Sequence, residues 1–478
     1  MAKLTISLFS PGELQAIHNA SLAILRDVGV VIHHEDVLDR LAQAGAMVDR
    51  GSKIARFGED MVTQAIEGAG KQYVLHGRSP ERMARFGYGD FNLMSSPGQF
   101  GWFDHHSTTR RNPLLADARA AARLGDALPN VTIVGPMAVP ADVPSPIRDV
   151  VLTAELVKNT GKPTRVWPVS RRSSHYVLEI YAAIAGGKEA LRQRPMAEMF
   201  LEPISPLQLP KVGLDVLLEF VDYGQPVSLG PMVQASGTGP ATLAGTLAQE
   251  NAEILAGVVV IQMLAPGTPM MYGGIPHIMD SRTSICSFGS PEQGLMAVAM
   301  TEIGHYYGFP IYINVNLTDA KTLDAQAGME KMGSLVLGIL AGADLFGHAG
   351  IVGTDHGGSL SWLVADDEAL SFAKRIARGF EIDDEMLALP VIAETGPTGN
   401  YLAHAHTVRH FRKELWIPNR TWTRETHEEW AADGRRMEDR IVERADHLLA
   451  THEPEPIDPA LAAEIDQIVE AAQRELVG

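Results

Sequence analysis

Cysteine is almost absent from this sequence, and so are the signals of export. A single cysteine, Cys286, occurs among 478 residues, which excludes an intramolecular disulfide and a cysteine-rich metal site. The first ten residues contain one lysine and no sustained apolar core with a cleavage site, and no run of 18 apolar residues occurs elsewhere. We therefore expect a cytoplasmic protein with no membrane partner.

Basic residues are also in short supply. The chain carries 40 lysines and arginines against 58 aspartates and glutamates, which gives a formal net charge of −18. Because nucleic acids are bound by basic surfaces that release counterions, this balance predicts no nucleic-acid partner. The glycines between residues 347 and 358 lack the spacings of nucleotide-binding loops, so we expect no nucleotide cofactor.

Helical and strand patterns alternate regularly from residue 113 onward. The seven strand candidates are residues 131–134, 164–167, 197–201, 226–229, 269–272, 310–316 and 343–346. This alternation predicts an α/β fold, a (β/α)8 TIM barrel with an N-terminal helical and β-meander layer and a C-terminal helical extension. The eighth strand is either residues 391–394 or one of the strands before residue 95.

Three regions follow from these patterns. Residues 1–112 are expected to form a helical and small β region packed on the barrel, with helices at 11–28, 34–44 and 58–69 and a meander of strands at 73–76, 83–86 and 91–94. Residues 113–410 are expected to form the barrel. Residues 411–478 are expected to form helical segments, including 412–430, that pack on the barrel or contact another subunit.

One polar stretch follows the strand 310–316. Asp319, Asp324, Gln326 and Glu330 lie between that strand and an apolar helix expected at 332–341. In a barrel the loops after the strands carry the chemistry, so residues 318–330 are predicted to be an active-site loop. The alternative is structural, since the acidic side chains would then cap the following helix and pair with lysines nearby.

The same stretch carries a family resemblance. Its pattern D-x-K-x-x-D-x-Q-A-G-x-E, from Asp319 to Glu330, resembles the trimethylamine:corrinoid methyltransferase family. Other stretches that agree, in the same order, are 240–245 with Gln249, Asn251 and Glu253, then 289–292, 396–400 and 406–416. The chain has only standard residues and is most similar to the branch that lacks pyrrolysine and demethylates quaternary amines such as glycine betaine.

The resemblance implies an activity. A methyl group would move from a quaternary amine to the Co(I) of a cognate corrinoid protein, so the corrinoid would come from that partner and no cofactor would be tightly bound. The enzyme would chiefly orient the N–CH3 bond in line with cobalt, because the amine leaves as a neutral group. The resemblance assigns catalytic roles to Asp319, Asp324, Gln326 and Glu330, and we also expect a homo-oligomer.

The ends of the other predicted strands supply candidate substrate-binding residues. A trimethylammonium group has no N–H to donate and keeps its charge at every pH, so aromatic faces and carboxylates must recognise it. The strand ends offer this combination in Glu202, Trp167, Tyr272, Phe346 and His348. The alternative for each ring is packing in the core, while His348 is a candidate donor to a substrate carboxylate.

Two other classes of function remain open. His404, His406 and His410 suggest a metal-dependent barrel hydrolase or lyase, but such enzymes place a His-x-His pair at the end of the first strand. We therefore expect no metal ligands. A non-catalytic betaine-binding protein is the third hypothesis, and it would typically be exported.

Overall fold

A computed structural model describes residues 4–107, 109–419 and 421–478. Three helices open the chain, namely α1 (Pro11–Ala23), α2 (Glu35–Gln43) and α3 (Glu59–Gly68). Ser10 and Glu13 form a capping box that fixes the start of α1, and a π-helical turn over Ile24–Val28 extends it. The three predicted N-terminal helices are confirmed.

Short strands accompany these helices. A four-stranded sheet contains Met47–Asp49, Ile54–Arg56, Val30–Ile32 and Gln208–Leu209. Tyr73–His76 and Met83–Phe86 form an antiparallel hairpin, as two strands of the predicted meander. Its buried side chains, Tyr73, Leu75, Ala84 and Phe86, pack against the inner face of the main sheet.

In the part of the chain that the structure describes, the main sheet has seven parallel strands. They are β1 (Asn92–Ser95), β2 (Val131–Ile133), β3 (Met199–Leu201), β4 (Val227–Leu229), β5 (Met270–Gly274), β6 (Ile311–Ile313) and β7 (Leu345–Ala349). Their spatial order is β3-β4-β5-β6-β7-β1-β2, so the last strand pairs with the first and the sheet curls. The remaining minor strands are Trp102–Phe103, Arg110–Arg111, Gln234–Ala235, His277–Met279, Cys286–Ser287, Ile351–Val352 and Gly357–Gly358.

Strand β1 decides between two expectations for residues 91–94. They were expected in the N-terminal meander or, as one of the strands before residue 95, in the main fold, and β1 lies between β2 and β7 in the main sheet. All four of its residues are buried, the polar Asn92 and Ser95 included, so the sequence shows no alternation of polar and apolar residues that would reveal its place. A boundary at residue 112 would therefore divide the sheet. The alternative strand at 391–394 is wrong, because those residues lie in a helix.

The strand expected at 164–167 is present only as a short parallel contact. Thr164 forms an isolated bridge with Val134, which follows β2. The Val134 amide donates to the carbonyl of Pro163 at 2.8 Å, and the Arg165 amide donates to the carbonyl of Val134 at 3.1 Å. This segment thus lies next to β2, at one edge of the sheet. Strand β3 forms the opposite edge.

Within the described residues, nine α-helices connect and follow these strands. They are α4 (Leu115–Ala127), α5 (Arg148–Asn159), α6 (Arg171–Ala185), α7 (Lys188–Gln193), α8 (Lys211–Asp222), α9 (Leu243–Leu264), α10 (Pro291–Tyr307), α11 (Ala325–Ala341) and α12 (Leu360–Arg378). Helix α9 alone, within the part of the chain that the structure describes, has the length and apolarity of a membrane-spanning segment. Because 89% of its apolar window is buried in the protein, it serves as a core helix.

The two faces of the sheet bury different residues. Met271, Tyr312 and Leu345 belong to a cluster on the inner face. Their neighbours Tyr272 and Phe346 belong to the larger core between the sheet and the helices. This alternation decides which predicted side chains can reach the inside of the curled sheet.

The described part of the C-terminal region contains six helices. They are α13 (Asp384–Leu387), α14 (Leu389–Thr395), α15 (Ala405–Glu414), α16 (His427–Asp433), α17 (Met437–Thr451) and α18 (Pro459–Leu476). Helices α17 and α18 pack through buried residues such as Ile441 and Ile465. The continuous helix predicted at 412–430 is wrong, because α15 ends at Glu414 ahead of Pro418, which cannot continue a helix.

Candidate functional site

Four rings gather where the parallel strands end. Trp167 follows the Thr164 bridge, Phe200 and Tyr312 lie in β3 and β6, and His348 lies in β7. The rings of Trp167 and His348 meet edge to face at 5.7 Å, and those of Phe200 and Tyr312 do so at 5.6 Å. His348 and Tyr312 join the two pairs at 6.2 Å. We call these four residues the aromatic cluster.

Close backbone approach makes this cluster possible. A Cβ atom on Gly347 would lie 2.4 Å from the Tyr312 ring, and one on Gly230 would lie 2.4 Å from the Phe200 ring. Both positions therefore require glycine. His348 itself has a φ of 69°, in the left-handed region that side chains other than glycine rarely adopt. Strained backbone of this kind concentrates at functional sites.

Hydrogen bonding fixes the state of His348. The Tyr312 hydroxyl donates to Asn314 Oδ1 at 2.5 Å and lies 3.1 Å from His348 Nε2. Because a phenol has only one proton, Nε2–H of His348 must be the donor in the second bond. Burial, with a smaller contribution from Arg165, lowers the pKa of His348 to about 3. The ring is therefore a neutral hydrogen-bond donor.

Arg165 lies beneath the cluster. Its Nη2 donates to Ser228 Oγ at 2.6 Å and lies 3.4 Å from Glu198 Oε1, and the guanidinium sits 5.3 Å from the centre of the Phe200 ring. Arg165 and Glu198 are both buried, so each charge offsets the other in the floor of the site.

Two carboxylates stand at the edge of the site. Glu202 directly follows β3, and burial followed by the charge of Asp355 raises its pKa to about 7. Burial also raises the pKa of Asp355, an effect that a hydrogen bond from Gln99 opposes. Both side chains stay accessible to solvent although protein flanks them. A cation placed near them would favour the ionised forms.

A cavity of about 390 Å³ opens beside Glu202. Its lining residues are Glu202, Pro203, Ile204, Ser205, Met232 and Thr238. A larger cavity of about 560 Å³ lies at the opposite end of the sheet, against Asp344, which precedes β7. Ligands of barrel-like α/β proteins bind at the carboxyl ends of the strands, so the smaller cavity belongs to the candidate site.

Buried carboxylates of α9 hold the loops around this cavity. Glu250 accepts hydrogen bonds from the backbone amides of Val233 and Ile275, each at 2.9 Å. Glu253 accepts one from the amide of Leu207 at 2.9 Å and another from the Ser205 hydroxyl at 2.7 Å. These two side chains therefore support the loops that follow β3, β4 and β5.

Asp319 has a similar supporting position. Its carboxylate accepts hydrogen bonds from Ser287 Oγ at 2.5 Å, the Phe288 amide at 2.8 Å and Thr354 Oγ1 at 2.6 Å. Asp319 thus connects its own loop, after β6, to the loops after β5 and β7. Thr354 is the neighbour of Asp355, so Asp319 holds the backbone that carries one of the two carboxylates at the site.

The other predicted catalytic residues lie in a different environment. Helix α11 begins at Ala325, so Gln326 and Glu330 belong to a helix and not to a loop as predicted. Asp324 is the exposed N-cap of that helix and accepts a hydrogen bond from Ala327 N at 3.2 Å. This bond, with one from Thr322, lowers the pKa of Asp324. The Asp324 side chain therefore has the structural role weighed against the catalytic one.

Glu330 and Gln326 bind each other rather than the aromatic cluster. The Gln326 amide donates to Glu330 Oε1 at 2.8 Å, while Glu330 Oε2 accepts from Thr318 Oγ1 at 2.5 Å and from the Asp319 amide at 2.8 Å. Glu330 thereby anchors the start of the loop that contains Asp319.

Two predicted cage rings need correction. Tyr272 and Phe346 point into the core between the sheet and the helices, since the alternation of their strands places Met271 and Leu345 on the inner face. The Tyr272 hydroxyl donates to Asn251 Oδ1 at 2.9 Å, and Phe346 contacts Phe91. Trp167 and His348 lie in the aromatic cluster, and Glu202 lines the smaller cavity.

The histidines of the metal hypothesis lie on the C-terminal region. His404 caps α15. His406 and His410 on that helix approach Glu385, and the group of Glu385, His406 and His410 could hold a metal ion. A second such group contains His105, His106 and Asp446. Neither group includes a residue of the aromatic cluster.

Four residues of the site were missed by sequence analysis: Arg165, Phe200, Tyr312 and Asp355. Phe200 and Tyr312 stand inside strand candidates, where alternation along the strand was the only available signal. Burial and two nearby aspartates raise the pKa of Cys286 to about 12.

The fold is that of an α/β protein with a curled parallel sheet, and its candidate site combines aromatic and acidic side chains at the carboxyl ends of the strands. The family model described as trimethylamine methyltransferase (MTTB) matches residues 2–477. The chain belongs to this family, which confirms the predicted family and the predicted class of enzyme, a methyltransferase.

Similar proteins agree over nearly the whole chain. It is 30% identical to a glycine betaine methyltransferase of Desulfitobacterium hafniense (strain Y51), over 98% of this chain and 97% of that protein. It is 31% identical to the trimethylamine methyltransferase MttB of Desulfitobacterium hafniense (strain DSM 10664 / DCB-2), over 98% and 94%. The monomethylamine methyltransferase of Methanosarcina barkeri shares the fold, with a TM-score of 0.50 at 11% identity over 98% and 92%.

Proposed function

We propose that this chain transfers a methyl group from a quaternary amine of the betaine type to the Co(I) of a cognate corrinoid protein. The observation that carries the proposal is the meeting of aromatic rings with Glu202 and Asp355 at one end of the sheet. Aromatic faces and carboxylates are what a permanent organic cation requires. Similarity to a glycine betaine methyltransferase supports the choice of substrate.

Each residue then has a defined task. Trp167 and the neutral ring of His348 flank the cation, and Glu202 with Asp355 balances its charge. The C–N bond breaks with its electron pair on nitrogen, so the amine leaves neutral and no general base is needed. The corrinoid supplies the Co(I) nucleophile that accepts the methyl group. The main contribution of the protein is that these four side chains orient the N–CH3 bond.

The surroundings of the site suit a bulky partner. Exposed apolar side chains occur on loops that follow the strands, namely Phe100, Val169, Ile204 and Ile285. Apolar groups of this kind at the rim of a cavity favour contact with another protein. The corrinoid would therefore arrive on its own carrier, and no tightly bound cofactor is proposed for this chain.

The same proposal includes a complete (β/α)8 barrel. Residues 163–165 would be its third strand, because they already pair with Val134, and Arg165 connects them to Glu198 and Ser228 of the next two units. Counting this segment, eight helices each follow one strand, from α4 after β1 to α12 after β7. The barrel would then begin at β1, with the preceding residues as an N-terminal layer and α17 and α18 as an extension.

The test is a turnover assay with free Co(I) cobalamin or the cognate corrinoid protein. Quaternary amines with and without a carboxylate are supplied one at a time, and formation of the methyl–cobalt bond is followed by absorbance. We expect turnover with a betaine. Binding without turnover would favour the betaine-binding alternative, and activity that depends on zinc would favour the metal-dependent hydrolase or lyase.

A further inference from the structure

Two helices of the C-terminal region bring three metal-ligating side chains together. His406 and His410 lie on α15, and Glu385 lies on α13. One ligand nitrogen of each histidine and one carboxylate oxygen of Glu385 all lie within 4.8 Å of one another. None of the three belongs to the aromatic cluster or lines the cavity beside Glu202, so the function proposed above gives them no role.

The two histidines form a pair whose spacing the helix fixes. Residues four apart in an α-helix lie on the same face, and the rings of His406 and His410 are 4.3 Å apart. The start of the helix is also fixed, because the amide of His406 donates to Nδ1 of His404, the N-cap, at 3.0 Å. A helical histidine pair at this spacing is a known zinc-binding arrangement.

Both imidazoles face Glu385. Nε2 of His410 lies 2.9 Å from Glu385 Oε1, and Nε2 of His406 lies 3.2 Å from the carbonyl oxygen of Glu385. Since zinc binds nitrogen and oxygen at about 2.0–2.2 Å, the ligand atoms of a tetrahedral site are roughly 3.4 Å apart, and side-chain shifts on the order of 1 Å would close this one. The Glu385 side chain is 56% exposed, so water can reach the fourth position.

The charges around Glu385 also suit a cation. Residues 381–385 include four carboxylates and no basic residue. Arg409 donates to Glu385 Oε1 at 3.1 Å, and a ligating carboxylate commonly keeps such a donor on its outer side while its other oxygen faces the ion. Asp383 caps α13 by accepting from the Met386 amide at 2.8 Å, so the segment that presents Glu385 has a fixed start.

Helix α15 is attached to the body of the protein away from the strand ends that form the candidate site. Arg375, in the last turn of α12, donates two hydrogen bonds to the carbonyl of Glu414 at the end of α15, at 2.9 and 2.6 Å. Because α12 follows β7 and runs back from the carboxyl ends of the strands, its last turn lies toward their amino ends. An ion held by α13 and α15 would therefore not contact the amine.

We propose that Glu385, His406 and His410 bind a divalent transition-metal ion of the zinc class, with water as the fourth ligand, and that the ion joins α13 to α15. Two imidazole nitrogens and one carboxylate oxygen suit zinc, whereas magnesium and calcium take oxygen ligands. This site would be an exception to the expectation, drawn from the sequence, that the chain has no metal ligands. The second group that could hold a metal ion takes its histidines from adjacent positions in a turn, where no helix fixes their spacing.

The test titrates Zn²⁺ into the full chain, after removal of metal with a chelator, by isothermal titration calorimetry. We expect the parent to bind Zn²⁺ at micromolar concentration or below, and Glu385→Gln and His410→Ala should each weaken binding at least about tenfold. Asp446→Asn is the matched control, since it removes the carboxylate of the second group, and it should keep the binding that the ligand variants lose. His404→Asn retains a capping side chain on α15 and should also bind as the parent does.

Cobalt gives a second readout, which reports geometry. Co²⁺ in place of zinc should show the strong visible absorption of a four-coordinate ion in the parent and in Asp446→Asn, but not in Glu385→Gln or His410→Ala. Circular dichroism should give the same helix content for all variants, because these side chains are at least partly exposed. Methyl transfer by the metal-free chain should equal that of the zinc-loaded chain.

Four results would overturn the proposal. The first is a parent chain that binds no Zn²⁺ at micromolar concentration, and the second is binding that Asp446→Asn loses while Glu385→Gln keeps it. The third is a parent spectrum with only the weak absorption of six-coordinate Co²⁺. The fourth is methyl transfer that requires zinc, since the ion would then act at the reaction and not between α13 and α15.

Discussion

Glu202 should make cation binding depend on pH near neutrality. Burial and Asp355 raise the pKa of this carboxyl to about 7 in the free protein. A bound quaternary ammonium favours the ionised carboxylate, so binding should release a proton whenever Glu202 starts protonated. If only the ionised form binds well, affinity at pH 6 should be about tenfold weaker than at pH 8, because a carboxyl with a pKa of about 7 is roughly one-tenth ionised at pH 6 and roughly nine-tenths ionised at pH 8.

Isothermal titration calorimetry with glycine betaine or a related amine measures this effect directly. Repeating the titration in buffers of different ionisation enthalpy counts the protons released. Glu202→Gln should bind more weakly at pH 8 and lose the dependence on pH, while the exposed helical control Glu189→Gln should keep it. A parent protein with equal affinity at pH 6 and pH 8, or a Glu202→Gln variant with the full dependence, would refute the role of Glu202 as counter-ion.

The same carboxyl affects the stability of the free protein with the opposite sign. A folded-state pKa above the unfolded value means that the folded protein holds the proton more tightly. Stability from this group is therefore fully present at acidic pH and is lost as pH rises from about 4.5 to about 7. Thermal melting of Glu202→Gln should lack this decline.

Three other residues give contrasting expectations. Trp167→Leu should weaken a cationic ligand by about 1–2 kcal/mol more than a neutral isostere, and equal losses by calorimetry would mean that the ring only fills space. Tyr272→Phe should cost about 1 kcal/mol of unfolding free energy through the lost bond to Asn251, with kcat/KM unchanged, and a fall in kcat/KM alone would return Tyr272 to the site. Asp324→Ala should lower the melting temperature while turnover is retained, because this side chain caps α11, and normal melting with lost turnover would contradict that role.

Local sequence signals predicted the helices well but not the faces of the strands. Ser10 with Glu13, and Pro291 after Ser290, mark helix starts through short-range hydrogen bonds, so their positions are readable from the chain alone. In β5 every residue is buried, so nothing in its composition tells whether Met271 or Tyr272 faces inward. The choice depends on tertiary register, which is why Tyr272 was misplaced.

The site shows the same limit. Trp167 and Glu202 were predictable because Trp167 ends one strand candidate and Glu202 directly follows another. Asp355 and Arg165 become neighbours of the site only through the curl of the sheet, and no local pattern marks them. Asp324 belongs to the family pattern and also precedes a predicted helix, so its sequence position fits both a catalytic and a capping role. The hydrogen bond from the Ala327 amide shows the capping role, and that bond depends on the local backbone geometry.

The buried glutamates of α9 support the loops of the site in a way that does not depend on the side chains of those loops. Glu250 holds the loops after β4 and β5 through backbone amides, which every residue except proline offers equally. Side chains on those loops can therefore be exchanged while the main chain keeps its supports. Variation in the amine accepted, from one member of this family to another, would then need few substitutions and no new scaffold.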